Sequence, residues 1–223
     1  MIFTYSGLEI PKYMKKILFL ICCIIPSFSV FSQDCDLKVN KNGIKVYTCE
    51  LNNSKFKAIK STFQLNCTLS ELAAALLDVE NCGKWQYKTL KANILKAVNE
   101  KKIIYYTEVE APVLTSNRDF VIQLNIEQNP RTKEMKVDLV SLPEYIPVKD
   151  GIIRVPYSKA VWNVIPLSTN ILQVEYYIEL DLGGDVPPWM VNMVAPKAPY
   201  ETFKDLKAVI GNYKGKTVSF IKN

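Results

Sequence analysis

Six segments between residues 88 and 182 alternate apolar and polar side chains, with no helical pattern between them. The alternation predicts strands near Lys88–Val98, Ile103–Val109, Phe120–Glu127, Met135–Ser141, Gly151–Val164 and Ile171–Leu182. Turn signals fall between or after them at Asn99-Glu100, Ala111-Pro112, Asn129-Pro130, Ser168-Thr169-Asn170 and Gly183-Gly184. Parallel neighbours need long crossover connections, usually helical, so strands in direct succession point to an antiparallel meander. Such a sheet must bury one face, and the end of the chain supplies a cover. Trp189, Met193, Pro196, Tyr200, Phe203, Leu206 and Ile210 recur at spacings of three and four. They make an apolar helical stripe about six turns long. Asp185 is the expected cap, Pro187 and Pro188 suit a first turn, and Pro196 and Pro199 predict a kink or two abutting helices. The fold class is α+β, a curved antiparallel sheet with a long C-terminal helix.

The first half of the chain adds two strands, Ile44 to Leu51 and Phe56 to Leu65, around a turn at Asn52-Asn53-Ser54. A helix then starts at a T-x-x-E capping box formed by Thr68 and Glu71. Leu69, Leu72, Ala73, Leu76 and Leu77 share one face of it, and Asn81-Cys82-Gly83 ends it. No repeat or linker interrupts the chain after residue 35, so residues 33–212 read as one domain and 213–223 as a C-terminal tail.

Residues 1–32 read as an N-terminal extension and signal peptide, with Met14 as the better start. Lys15-Lys16 is a positive n-region, Ile17 to Ile25 is apolar, and Val30-Phe31-Ser32 has the character of a cleavage site. The apolar run is about half the length a spanning helix needs. Asp34 before Cys35 does not suit a lipid-modified cysteine. The expected location is therefore periplasmic or secreted. The remaining cysteines, Cys35, Cys49, Cys67 and Cys82, suit an oxidising compartment and up to two disulfides. A hairpin at Asn52-Asn53-Ser54 puts Cys49 opposite roughly Lys57, far from Cys67, and the helix separates Cys67 from Cys82. Cys35 is thus the expected partner of one of the others.

Charge and composition exclude several functions. The net charge of +6 falls to +4 without residues 1–32, which hold three lysines and one glutamate. That charge is dispersed and not interleaved with aromatics, so no nucleic-acid partner is expected. The chain has no histidine, which removes the commonest general acid–base, and no G-x-S-x-G or metal-ligand spacing. No catalytic residue, cofactor or metal is expected.

Six segments, in order, resemble the START (steroidogenic acute regulatory-related lipid-transfer) domain family. They are the run Asp36–Thr48, Asp78 with Trp85, Asn117-Arg118-Asp119-Phe120-Val121, Gly151-Ile152-Ile153-Arg154, Trp162-Asn163-Val164-Ile165-Pro166, and Asp181 to Trp189. Together they span about residues 36–212. The resemblance implies a helix-grip fold, in which the sheet grips the C-terminal helix around a hydrophobic tunnel. It implies binding of a lipid or small hydrophobic ligand for transfer or sensing. A monomer is expected, and the mild lysine excess suits transient contact with a membrane surface. The resemblance also places Leu142–Asp150 as a lid beside the helix, with Tyr145 and Ile146 touching membrane or ligand.

The candidate ligand-binding residues lie on these elements. Phe120, Ile122 and Leu124 share one side of a strand, and Tyr176 and Ile178 share one side of another. Trp162, Trp189, Met190 and Met193 are adaptable wall residues. Arg118 would orient a polar head, with Asp119 turned to the opposite face. Some sterol-binding members of the family carry a second arginine six residues after this motif; Leu124 stands there instead, which disfavours a sterol tether. Glu108 and Glu110 could bring a carboxylate near Asp119. Periodicity alone does not distinguish a filled core from an empty one. A cyclase- or aromatase-like enzyme and a filled-core interaction domain are the alternatives.

Overall fold

A computed structural model describes residues 34–223, apart from Asn53 and residues 112–114. The expected export segment and parts of the turns at Asn53 and Pro112 lie outside those residues. Strands β1 (Cys35–Lys41), β2 (Ile44–Cys49) and β3 (Ala58–Leu65) come first, then helix α1 (Leu69–Leu77) and a 3-10 segment, Val79–Lys84. Strands β4 (Thr89–Asn99), β5 (Lys102–Val109), β6 (Arg118–Gln128), β7 (Met135–Ser141), β8 (Ile153–Arg154), β9 (Tyr157–Ser168) and β10 (Ile171–Asp181) come next. Helices α2 (Pro188–Val194) and α3 (Lys197–Val209) close the fold with a last 3-10 turn, Ile210–Tyr213. The sheet runs β1-β2-β3-β10-β9-β7-β6-β5-β4, and the last strand, β10, returns to pair with β3, leaving β1 and β4 at the two edges.

Strand β1, the strand over Gly151–Val164, the Asp185 cap and the hairpin register differ from expectation, while Cys35 has one of the other cysteines as its partner, as expected. Cys35–Lys41 is a strand, although its mostly exposed side chains carry no alternation; backbone pairing with β2 holds it there. The single strand expected over Gly151–Val164 is two. β8 pairs in parallel with β6, and Pro156, which has no N–H to give a ladder, precedes the start of β9. Asp185 does not cap the C-terminal helix: the cap position is Pro187, with no side-chain hydrogen bond. Cys35 is bonded to Cys49, but Cys67 and Cys82 are free and buried. Burial pushes both thiols up to about 12, which makes them inert at neutral pH. The hairpin register puts Cys49 opposite Ala58, one residue from the expected position.

The capping box of α1 is present in both directions. Glu71 N–H donates to Thr68 Oγ1 (3.2 Å), and Thr68 N–H donates to Glu71 Oε2 (2.9 Å). Glu71 Oε1 also accepts the Gly215 N–H at 2.7 Å, which brings in the last residues of the chain. Ser70 and Gln128 hold them further: Val218 N–H donates to Ser70 Oγ, and Gln128 exchanges two hydrogen bonds with the Lys222 backbone. Ile221 is buried, so residues 213–223 pack onto the domain. Burial of Glu71 opposes ionisation, but the hydrogen bonds from Thr68 and Gly215 outweigh it and hold the carboxyl below its ordinary value.

Register identifies the buried face. Phe63, Val174, Val164 and Met135 lie opposite one another across β3, β10, β9 and β7, and each is at most 2% exposed. Helix α3 lies on this concave face. Phe203 stacks on Phe63 with centroids 4.3 Å apart and meets Trp162 and Tyr176 edge-on at 5.4 and 5.1 Å. Interior proline gives two abutting helices, with Ala195 and Pro196 still in the α region between them.

Candidate functional site: the half-covered end of the concave face

The structure brings most of the expected wall residues together. Arg118, Phe120, Ile122 and Leu124 lie opposite Val109, Thr107, Tyr105 and Ile103, and Trp162 lies opposite Tyr176 as Ala160 does Ile178. Ile122, Leu124 and Trp162 are buried in the core. Phe120, Leu139, Tyr176 and Ile178 pack against that core yet are only partly buried, as is Leu180 beyond them. These half-covered residues run toward the sheet end formed by the starts of β3, β6 and β9 and the finish of β10. Asn192 of α2 is fixed at this end by hydrogen bonds with the Lys57 N–H (3.1 Å) and Lys55 carbonyl (3.2 Å). Trp189, Met190 and Met193 on α2 are 64%, 39% and 67% exposed. Beside α2, a groove of about 650 Å³ is lined by Val39, Thr48, Met193, Pro196 and Tyr200, with lysines that include Lys41 and Lys197.

Ile146 is not among the grouped wall residues. With Leu142 it packs on Ile104, Tyr106 and Val121, whose register neighbours put them on the opposite face of the sheet from α3. Tyr145 is exposed. The loop at 142–150 therefore covers the outer face of β5 and β6 rather than lying beside the helix.

Arg154 holds that loop, and sequence reasoning missed it. Its Nε and Nη2 grip both carboxylate oxygens of Asp119 at 2.7 and 3.1 Å, while Nη1 donates to the Pro143 and Ile146 carbonyls at 2.7 and 3.1 Å. The Asp119 side chain is 1% exposed and the Arg154 side chain 5%. The signal was available: a buried aspartate needs a paired cation, and Arg118 next to it points to the other face. Glu108 lies opposite Asp119 and accepts from Tyr106 Oη (3.3 Å) and Asn117 Nδ2 (3.2 Å). Burial, then the charges of Asp119 and Glu108, raise the Tyr106 phenol above its ordinary value. Glu110 pairs with Lys88 at 2.8 Å.

The concave face has the opposite polarity problem. Thr48 Oγ1, Ser61 Oγ, Thr107 Oγ1 and Arg118 Nε are buried without a hydrogen-bond partner, and register puts all four residues on this face. Among the described residues no cluster of His, Cys, Asp and Glu could hold a metal. No helix among them is long and apolar enough to cross a membrane.

Comparison with known proteins agrees with this architecture. The chain is 27% identical over 183 residues to an uncharacterized protein of Pseudomonas aeruginosa, covering 81% of this chain and 88% of that one. It is 26% identical over 207 residues to the phosphatidylcholine transfer protein of Rattus norvegicus, covering 88% and 92%. The crystal structure of a STAR-related lipid transfer protein fragment from Xanthomonas axonopodis superposes with a TM-score of 0.74 at 25% identity, over 79% of this chain and 98% of that fragment. The curved ten-stranded sheet with its C-terminal helix is the helix-grip fold. The family model of the START domain matches residues 33–216, and the chain belongs to that family.

Proposed function

We propose that this protein binds a lipid or other hydrophobic ligand at the half-covered end of the concave face, and carries or senses it without covalent chemistry. START domains bind hydrophobic ligands for lipid transfer. The observation that carries the reading here is the row Phe120, Leu139, Tyr176, Ile178 and Leu180, apolar side chains that the fold lines up on the concave face and leaves half-covered. Exposed Trp189, Met190 and Met193 are adaptable contacts beside it, for the ligand or for a membrane surface. Similarity to phosphatidylcholine transfer proteins supports the transfer reading.

The energetics suit exchange. Moving about 16 methylenes from water is worth on the order of 12 kcal/mol, at roughly 0.8 kcal/mol each. A bilayer offers nearly the same gain, so membrane-to-protein transfer is close to neutral and needs no energy source. Against catalysis, the converging groups Tyr106, Glu108, Asp119 and Arg154 sit on the outer face, where Arg154 already occupies Asp119. The Cys35–Cys49 bridge supports an exported protein.

The test is mass spectrometry of organic extracts from natively purified residues 33–223. A stoichiometric lipid, lost in Trp189→Ala or Met193→Ala, is the expected result. A folded, empty protein that takes up no lipid from vesicles would overturn the reading.

A further inference from the structure

Arg118 is a buried cation that no acidic group among the described residues neutralises. It opens β6 on the concave face, opposite Val109, and Thr107 lies two residues earlier on β5, opposite Phe120. Thr107 and Arg118 are therefore diagonal neighbours on one face, a spacing a long side chain can bridge. Both are more than nine-tenths buried, at 6% and 5% exposure. Neither is satisfied: Thr107 Oγ1 and Arg118 Nε have no partner, and Arg118 Nη1 donates to the Ser116 carbonyl.

The surroundings leave the charge standing. Asp119 and Glu108 occupy the outer face, held by Arg154 and by Tyr106 and Asn117, and Glu110 is paired with Lys88. Burial pulls the guanidinium below its ordinary value, and no acidic group among the described residues pushes it back up. Arginine does not shed its proton in proteins, and an unpaired buried charge is among the costliest features a fold can hold. The β10–α2 turn closes over the same spot. Gly183 and Gly184 have φ of +64° and +68°, and a Cβ on Gly184 would lie 2.9 Å from Ile153 Cδ1 and 3.8 Å from Arg118 Nη2. Glycine lets the backbone come down close to the guanidinium.

We infer that the ligand is an amphiphile with an oxyanion head, a carboxylate or a phosphate, received by Arg118 with Thr107 as the second donor. The apolar part then lies along Phe120, Leu139 and Ile178. The planar guanidinium fork is suited to either oxyanion. This rests on the lipid-binding reading above and narrows its ligand class.

The experiment titrates delipidated protein with oleate, oleyl phosphate and methyl oleate, with oleate ionised. The wild type is expected to bind at least one of the two anions about tenfold or more tighter than the neutral ester, as a charged hydrogen bond in a buried site implies. Whichever anion binds more tightly identifies the head. Arg118→Met should abolish the preference and leave methyl oleate within about twofold, and Arg118→Lys should restore part of it. Thr107→Val should reduce it by about tenfold, since its hydrogen bond too runs to a charged oxygen. Should Arg118→Met fail to fold, the wild-type comparison and Thr107→Val still decide. Equal wild-type binding of all three probes would overturn the inference while leaving lipid binding intact. A preference that survives Arg118→Met would overturn it too. Binding of none of the three, with no uptake from vesicles, would remove both readings.

Discussion

The two ends of the concave face are built from the same alternation and finish differently. At one, α3 lays Phe203 onto Phe63, Trp162 and Tyr176, and the side chains interlock. At the other, Phe120, Leu139, Ile178 and Leu180 are half-covered, and Trp189 and Met193 of α2, which is anchored beside the start of β3, face solvent. The strands do not differ in kind between the two ends. What differs is the helical cover: α3 packs on the aromatic end, and the helix is divided at Ala195-Pro196 before it. Burial on such a face is decided by the cover, so stability can be concentrated at one end while the other stays available to a ligand.

That contrast is open to breaking. Phe203→Ala should cost about 4 kcal/mol, read as a lower urea midpoint with an unchanged slope. A loss under 1 kcal/mol would mean the aromatic end is not the packed one. Reducing Cys35–Cys49, which closes a loop of 14 residues, should cost about 3 kcal/mol in the same assay. Thr68→Ala should cost about 1 kcal/mol at neutral pH. The Glu71 carboxyl in that capping box is held below its unfolded value, so its contribution is complete above about pH 4.3 and fades as pH falls through the folded value. The gap between wild type and Thr68→Ala should therefore narrow in acid; a gap that widened would contradict the capping geometry. At the open end, Trp189→Ala should shift stability by no more than about 0.5 kcal/mol, yet reduce lipid uptake from vesicles. If instead it unfolded the protein and spared uptake, the two ends would have to exchange roles.

How much of this the sequence made legible depends on distance along the chain. The α1 capping box is a four-residue event, and Thr68 and Glu71 announced it. Alternation placed Phe120, Ile122, Leu124, Tyr176 and Ile178 on one face because a strand's period is local and rigid. β1 was missed because Cys35–Lys41 buries little; only its pairing with β2 makes it a strand. Arg154 was missed because its partner Asp119 is 35 residues away and reached only once β8 pairs with β6. The loop at 142–150 was placed on the wrong side for the same reason: Arg154 decides which face it covers, and Arg154 had been given no role. The unsatisfied state of Thr107 and Arg118 is invisible to sequence, since it is a statement about what is not beside them.

The sheet's two outer strands carry features that blunt pairing with another chain. β4 departs from regular pairing three times along its length and carries exposed Lys91 and Lys96, while β1 has an irregularity at Leu37/Val39 and is tied to its neighbour by Cys35–Cys49. Kinks, lysines and a covalent tether each blunt a free strand as a template for another chain. The half-covered row on the concave face lies away from these edges. Such margins make strand-to-strand pairing with a second chain less favourable at either edge of the sheet.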